Sequence, residues 1–240
     1  MIAIFHALVY QPLYNILIFF YNIIGQDFGM AIIATTIFLK ALLIPLSKKQ
    51  IQSQKKMQDL QPKIKELQEK YKGNKEKQTK ALMEFYKKNK TNPFSGCLPL
   101  VVQLVFLIAI YRILLSISAS GLSIKAEDLY FFVSDPGKIN HLFLGIIDMA
   151  KPSPVLAVLA AGAQYWQTKL MMAKNKEKEK NSKKSSDDKP DFAQIMSKQM
   201  LYLGPLLTLF IGVKFAAGLA LYWLVSTLFM VFQQMYIFKK

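Results

Sequence analysis

Acidic residues, histidine and cysteine are scarce in this sequence. Of 240 residues, 15 are Asp or Glu, two are His and one is Cys. The single cysteine, Cys97, excludes a disulfide within the chain, and we interpret it as a small packing residue. The long apolar runs contain no Asp or Glu, which excludes a carboxylate pair or a relay of membrane carboxylates inside them. Without an HExxH motif or a Ser/His arrangement, the sequence predicts no enzyme activity, no metal site and no cofactor.

Apolar residues, by contrast, make up 52% of the chain. They concentrate in runs nearly free of charge, at 29–46, 94–117, 154–172, 199–213 and 215–237. Each run approaches or reaches the roughly 20 residues needed to cross a hydrocarbon core of about 30 Å. Only helices and closed barrels satisfy their backbone in lipid, and these runs are too long and too uniform for barrel strands. We therefore predict an all-α membrane protein with five transmembrane helices.

The net charge of +16 is unevenly distributed between the loops. Segment 47–93 holds fourteen Lys and five acidic residues, and segment 173–198 holds eight Lys and five acidic residues. The loop 118–153 holds three Lys and four acidic residues. The positive-inside rule places Lys-rich segments in the cytoplasm, so the N-terminus is predicted outside and the C-terminus inside. We expect 173–198 to be a cytoplasmic linker that is disordered over 173–191.

Residues 1–27 are predicted to form an external amphipathic helix. An ordinary signal peptide is not indicated, because 1–25 lacks a basic n-region and a small-residue cleavage site. Polar residues share one broad face of a helical wheel, namely His6, Tyr10, Gln11, Tyr14, Asn15, Tyr21 and Asn22. This pattern is typical of a helix lying on the membrane surface. The length also permits a sixth span, but the polar residues and Pro12 favour the interfacial position.

Segment 47–93 predicts a cytoplasmic helical hairpin. Apolar residues recur at spacings of three and four on a Lys/Gln/Glu-rich helix: Met57, Leu60, Ile64, Leu67 and Tyr71. A turn at 72–74 and a second amphipathic stretch, 75–90, follow. The two helices cover each other's apolar faces and leave a basic outer surface. We expect Pro62 to kink or restart the first helix.

Lys40 is the clearest polar residue inside a predicted span. An ionisable residue there costs a few kcal/mol on insertion scales and is a functional candidate by default, although snorkelling to the inner headgroups is an alternative. Other polar or amphipathic side chains lie within the remaining spans: Gln103, Gln164, Gln167, Tyr222, Trp223 and Ser226. Because a Lys ammonium is not stable in a dry site, polar groups and water must surround it. The pattern predicts a wet, positively charged recess that opens to the cytoplasm.

Four stretches together resemble the YidC/Oxa/Alb insertases, in the short bacterial form without a large external domain. They are GMAIIATTIFLKALLIPLSKKQ at 29–50, LQPKIKELQEKY at 60–71, NPFSGCLPLVVQLVFLIAIY at 92–111 and AGLALYWLVSTLFMVFQQ at 217–234. The resemblance implies a five-span core, 28–240, around a hydrophilic groove that is closed outside and open to cytoplasm and lipid. The family typically has Arg at the position of Lys40. Gln103 and Trp223 fall on family-typical positions, whereas the choice between Gln164 and Gln167 stays open.

The function that the resemblance implies is a membrane protein insertase and chaperone of the bacterial plasma (inner) membrane. Its partners would be nascent membrane proteins and the bilayer, with no small-molecule substrate. The basic hairpin would meet the ribosome, the Sec translocon or targeting factors, because basic surfaces suit RNA phosphates. The hairpin residues predicted to dock are Lys55, Lys56, Lys63, Lys65, Lys70 and Lys72.

Two other classes of function stay open on the sequence. A solute transporter or channel would predict internal repeats and broken helices, which the sequence does not indicate. A structural scaffold for other membrane proteins would have no need of Lys40.

Overall fold

The computed structural model describes residues 2–92, 98–121, 123–181 and 192–239. Cys97 and the start of the second predicted span lie outside the described residues. The helices are α1 (Ile2–Phe5), α2 (Gln11–Ile23), α3 (Phe28–Leu42), α4 (Ile44–Lys70), α5 (Lys75–Lys88), α6 (Leu98–Ala119), α7 (Pro154–Asn181), α8 (Phe192–Lys214) and α9 (Ala217–Lys239). Between α6 and α7 lie a 3₁₀ turn, Ala126–Asp128, and an antiparallel hairpin of β1 (Leu142–Phe143) and β2 (Ile147–Asp148).

Three helical stretches in the described part of the chain are long and apolar enough to cross a membrane. They are Ala3–Ile23, Val101–Ala119 and Ala217–Ile237. The bent pair Phe28–Leu42 and Ile44–Met57 makes a fourth if it crosses as one unit, and Leu201–Lys214 is a shorter apolar helix. The fold is that of an all-α membrane protein. The count of five spans and the interfacial position of the first helix stay predictions.

The chain bends by 68° between α3 and α4. Pro45 occupies the first turn of α4, just after the break at Leu43. Proline cannot donate a backbone hydrogen bond and its ring crowds the preceding turn, which explains a break at this point. The first predicted span is therefore a straight helix only as far as Leu42. Pro62, in contrast, lies inside α4, which is not restarted there.

Helices α4 and α5 form the predicted hairpin. The side chain of Asn74 caps α5 by accepting a hydrogen bond from the backbone N–H of Lys77, and Gln78 Nε2 donates to the backbone oxygen of Gln68 across the hairpin. Ile64 is buried in the seam, whereas α5 has no buried residue. The first part of α4 is different, because Ile51 is buried there, and α4 also contacts α6 and α9. One continuous helix thus joins the bundle to the basic hairpin.

The N-terminal helix holds the segment between α6 and α7. A π-helical turn, His6–Tyr10, joins α1 to α2, and the backbone N–H of Gln11 donates to the oxygen of His6. Pro12 follows this turn and has no N–H to donate, which favours such an irregularity. Four side chains of α2 form hydrogen bonds of 2.6–2.9 Å with backbone groups of residues 125–140. They are those of Tyr14, Asn15, Tyr21 and Asn22. The polar face predicted from the sequence therefore contacts one loop over most of its length.

Close helix contacts at glycine build the rest of the bundle. A Cβ atom on Gly212 of α8 would lie 2.9 Å from the Cα atom of Ala157 on α7. A Cβ atom on Gly218 of α9 would lie 3.0 Å from Ile32 of α3 and 3.2 Å from Leu114 of α6. Small residues at such crossings allow backbones to approach closely in membrane bundles.

Both α7 and α8 also extend into the range 173–198 that we predicted as a linker, while 182–191 lies outside the described residues.

Candidate functional site

Lys40 lies in the last turn of α3, two residues before the helix ends. Its ammonium donates a hydrogen bond of 3.2 Å to the side-chain oxygen of Gln103 on α6. Within the described residues it forms no ion pair, so a neutral amide oxygen holds the charge. The cation therefore keeps its net positive field at the place where the chain bends by 68°.

Gln103 joins three helices through one atom. Its side-chain oxygen accepts from Lys40 of α3 and also from the Ser226 hydroxyl of α9, at 2.9 Å. The Gln103 amide nitrogen is buried and makes no hydrogen bond to any described residue. A buried donor without a partner is costly, so this nitrogen favours water or a bound polar group beside it.

A second polar contact lies between α7 and α9. The indole N–H of Trp223 donates to the side-chain oxygen of Gln164 at 3.2 Å. Gln167 is half-buried on the same helix and has no such contact with Trp223. Tyr222, the residue before Trp223 in α9, is buried. The structure thus brings Lys40, Gln103 and Ser226 together, and separately Gln164 and Trp223, with α9 common to both groups.

Further buried polar atoms accompany these residues. Thr35 on α3, Gln50 on α4 and Gln234 on α9 are buried, and each has a side-chain atom without a hydrogen-bond partner among the described residues. Gln234 is fully buried, and both ends of its amide lack a partner there. Glutamine near the end of an apolar run was the signal for Gln50 and Gln234. For Thr35 the signal was weak, because threonine is common in membrane helices.

Arg112 is a charged residue inside the second predicted span that the sequence analysis passed over. Its guanidinium lies 5.3 Å from the ring centroid of Phe5 in α1. That distance fits a cation–π contact, which holds the charge against the N-terminal helix. Arg112 therefore lies apart from the Lys40 contacts.

The lysines predicted for docking lie on the hairpin of α4 and α5. Lys56, Lys63, Lys70 and Lys72 are exposed, and Lys55 and Lys65 are half-buried. Lys70 packs its ammonium 5.8 Å from the Tyr71 ring centroid. The hairpin presents a basic surface away from its apolar seam.

The family model described as 60Kd inner membrane protein matches residues 19–240. The chain belongs to this family. Proteins named Membrane protein insertase YidC are similar to it, and the one from Fusobacterium nucleatum is 32% identical over 97% of this chain and 98% of its own length. The one from Pelobacter propionicus is 32% identical over 97% of this chain, and that from Streptomyces avermitilis is 28% identical over 99%.

The chain spans only 39% and 59% of the length of the latter two relatives. Family membership and the apolar helices together make it a multi-pass protein of a bacterial membrane.

Proposed function

We propose that this 60Kd inner membrane protein family member inserts other membrane proteins into the bilayer and assists their folding. The observation that carries the proposal is the Lys40 ammonium held by the oxygen of Gln103, which Ser226 also contacts. A charge bound in this way is solvated by dipoles and is not cancelled by a carboxylate. It is available to attract a negative group on an entering chain.

The groove that we propose lies where α3, α6 and α9 meet. Polar atoms on Thr35, Gln103 and Gln234 that lack a hydrogen-bond partner among the described residues support a wet interior, because burying such groups dry costs about 1–3 kcal/mol each. Water and polar side chains at this depth lower the cost of moving polar residues part of the way across the membrane. Gln164 and Trp223 extend the polar surface to α7.

In the proposed mechanism, a nascent segment with a polar or acidic tail enters the groove from the cytoplasm. Lys40 attracts the negative charge of the tail, and the wet groove shortens the hydrophobic barrier. The apolar part of the segment then slides between helices into lipid, where its transfer is favourable. No covalent bond changes, so the protein acts as an insertase without being an enzyme.

We assign the basic hairpin to the cytoplasm, together with the C-terminus, and the N-terminus to the outside. The distribution of Lys between the loops supports this topology. The contacts of α2 with the loop 125–140 along most of its length support an interfacial helix, because a spanning helix would leave the outer surface after one or two turns. The hairpin lysines would dock on the ribosome, the Sec translocon or targeting factors.

A solute transporter is the second candidate, because the break between α3 and α4 is the kind of interruption that transporter helices show. The purified full chain in liposomes distinguishes the two. Insertion of one short membrane protein, measured by protection from added protease, should depend on the chain, and small ions and sugars should not leak. Flux without insertion would contradict the proposed function.

A further inference from the structure

The segment between α6 and α7 carries two exposed apolar tips. At the first tip Phe131 is 101% exposed and Phe132 is 62% exposed. At the second, in the turn between β1 and β2, Leu144 is 63% exposed and Ile146 is 83% exposed. Large apolar side chains so fully exposed in one short segment indicate an interaction surface.

The second tip is fixed to the start of α3 by one carboxylate. Asp27 Oδ1 accepts from the backbone N–H of Met30 at 2.8 Å and so caps α3, while Asp27 Oδ2 accepts from the backbone N–H of Leu144 at 2.6 Å. The ring of Phe143 packs against Gly29, where a Cβ atom would overlap it. The tip therefore lies at the level of the first turn of α3.

The backbone of this tip is shaped to expose its side chains. Leu144 has φ 51°, a left-handed conformation that favours Gly or Asn over an apolar residue. Leu144 and Ile146 flank Gly145, which also has positive φ, so two apolar side chains project from one tight turn. Nothing within the described residues covers them.

The first tip is held in the same region by α2. Asn15 Oδ1 accepts from the backbone N–H of Tyr130, and Asn22 Nδ2 donates to the oxygen of Ser134. The turn with Phe131 and Phe132 is thus clamped on both sides to the N-terminal helix. The α2 residues Phe19 and Ile23 are exposed as well.

We propose that the two apolar tips enter the outer leaflet of the bilayer at the boundary between headgroups and acyl chains, and anchor the loop 123–153 there. The occupant is phospholipid, because the second tip lies at the level where α3 begins, and the first tip is held by α2, which has exposed apolar residues of its own. Aromatic and aliphatic side chains partition into this zone, to a depth of about 5–10 Å for interfacial helices. The proposal rests on the proposed topology and not on insertase activity.

Fluorescence in liposomes tests the proposal on the full chain. Single-cysteine variants Ile146→Cys and Phe131→Cys, in a Cys97→Ser background, carry an environment-sensitive NBD label in phosphatidylcholine–phosphatidylglycerol vesicles. Asp135→Cys, an exposed polar position of the same loop, is the control. We expect shallow nitroxide lipids to remove most of the emission at 146 and 131 but little at 135, and aqueous iodide to show the reverse order.

Two outcomes would overturn the anchor. Iodide quenching at 146 and 131 equal to that at 135 would show tips in water. Shielding from both iodide and nitroxide lipid would show that a protein, such as a second copy, covers them. The quenching assay does not depend on insertion activity. A negative result for the anchor therefore leaves the proposed function to be tested separately.

Asp27→Asn tests how the second tip is positioned. Asparagine still caps α3 through its oxygen, but its amide nitrogen cannot accept from the N–H of Leu144. We expect lipid quenching at 146 to fall in this variant while quenching at 131 is unchanged. Unchanged quenching at 146 would show that the Asp27 carboxylate does not place the tip.

Discussion

Gln103 determines how the charge of Lys40 is presented. An amide oxygen stabilises the ammonium without neutralising it, whereas a carboxylate at the same point would form an ion pair. The hydroxyl of Ser226 restrains the amide from the other side. In the proposed mechanism, the identity of this side chain therefore decides whether the cation is free to act on an entering chain.

Gln103→Glu should therefore impair insertion of acidic-tailed clients. The substituted carboxylate has nearly the same shape and would pair with Lys40, cancelling its field. We expect the rate for an acidic-tailed client to fall by about tenfold, equivalent to about 1.4 kcal/mol. Gln167→Glu is the matched control, because Gln167 makes no hydrogen bond to Lys40. Equal losses in the two variants would contradict a specific role for Gln103.

The sequence was sufficient to single out Lys40 as an ionisable residue in a long apolar run, although Arg112 in the second run was passed over. It was not sufficient to choose between Gln164 and Gln167. These residues lie three apart, on neighbouring parts of one helix face. Which of them meets Trp223 depends on the rotation of α7 about its axis, which its packing against α8, at contacts such as Ala157 with Gly212, constrains.

At the scale of elements, the close crossing of α7 and α8 depends on Gly212, because glycine has no side chain to hold the helices apart. Gly212→Ala would place a methyl group 2.7 Å from Ala157 Cβ and 2.9 Å from its Cα, so the helices must separate. We expect destabilisation of about 1–3 kcal/mol, seen as a lower unfolding temperature in detergent. Gly162→Ala is the control, because nothing lies within 4 Å of its added Cβ and alanine favours a helix. The prediction fails if the control is the less stable variant.

The loop 123–153, whose backbone oxygens bond to the start of α9, contains an acid-sensitive contact. Burial raises the pKa of Asp148, but the backbone N–H of Ala150, the Lys151 ammonium and His141 outweigh it and lower the pKa below 3.8. The neighbouring backbone oxygens of Met149 and Lys151 accept from Gly218 and Ala217 at the start of α9. Asp148 therefore stabilises the segment that caps this helix.

Stability from Asp148 should be present at neutral pH and lost on acidification. Because the pKa is depressed in the folded state, the contribution is complete above the unfolded value of 3.8 and disappears as pH falls through the lower, folded value. Asp148→Asn should lower the free energy of unfolding by about 1 kcal/mol at pH 7. Thermal unfolding of both proteins across pH measures this, and a difference that persists below the folded pKa would contradict it.

The hairpin was predictable from the sequence as an element, but the bend that connects it to α3 was not. Spacings of three and four predicted a helix over 57–71, a second amphipathic stretch predicted α5, and the turn at 72–74 separated the two. The bend at Leu43 was missed, because a proline at the end of an apolar run is compatible with either a straight exit or a turn. The contacts of α4 with α6 and α9, which fix its direction, are not visible in a linear pattern.

Deletion of 55–88 tests the hairpin as a docking element. Ile51 and Gln50, which are buried in the bundle, are retained, so the membrane core should still fold. We expect insertion in cells to fall, with less loss for purified protein in liposomes that contain no ribosome. Full activity of the deletion in cells would remove the hairpin from the mechanism.

At the scale of the whole molecule, we expect the distribution of Lys between the loops to set the orientation in the membrane. Cysteine placed at Ser53 should be labelled by an impermeant reagent only from the cytoplasm, and cysteine at Ser120 only from outside, in a Cys97→Ser background. The Lys-rich segment around Ser53 supports this assignment. Labelling of both positions from the same side would contradict the topology.

The central claim is that a cation in a wet groove attracts acidic segments of an entering chain. Its most direct test is the insertion rate of two matched clients, differing only in tail charge, into liposomes with wild type, Lys40→Arg, Lys40→Ala or Lys40→Glu. Arginine keeps the charge and should retain the preference for the acidic tail. Alanine should abolish that preference and glutamate should reverse it, while the neutral-tailed client changes less. If Lys40→Glu inserts the acidic-tailed client as well as wild type does, the electrostatic account is wrong.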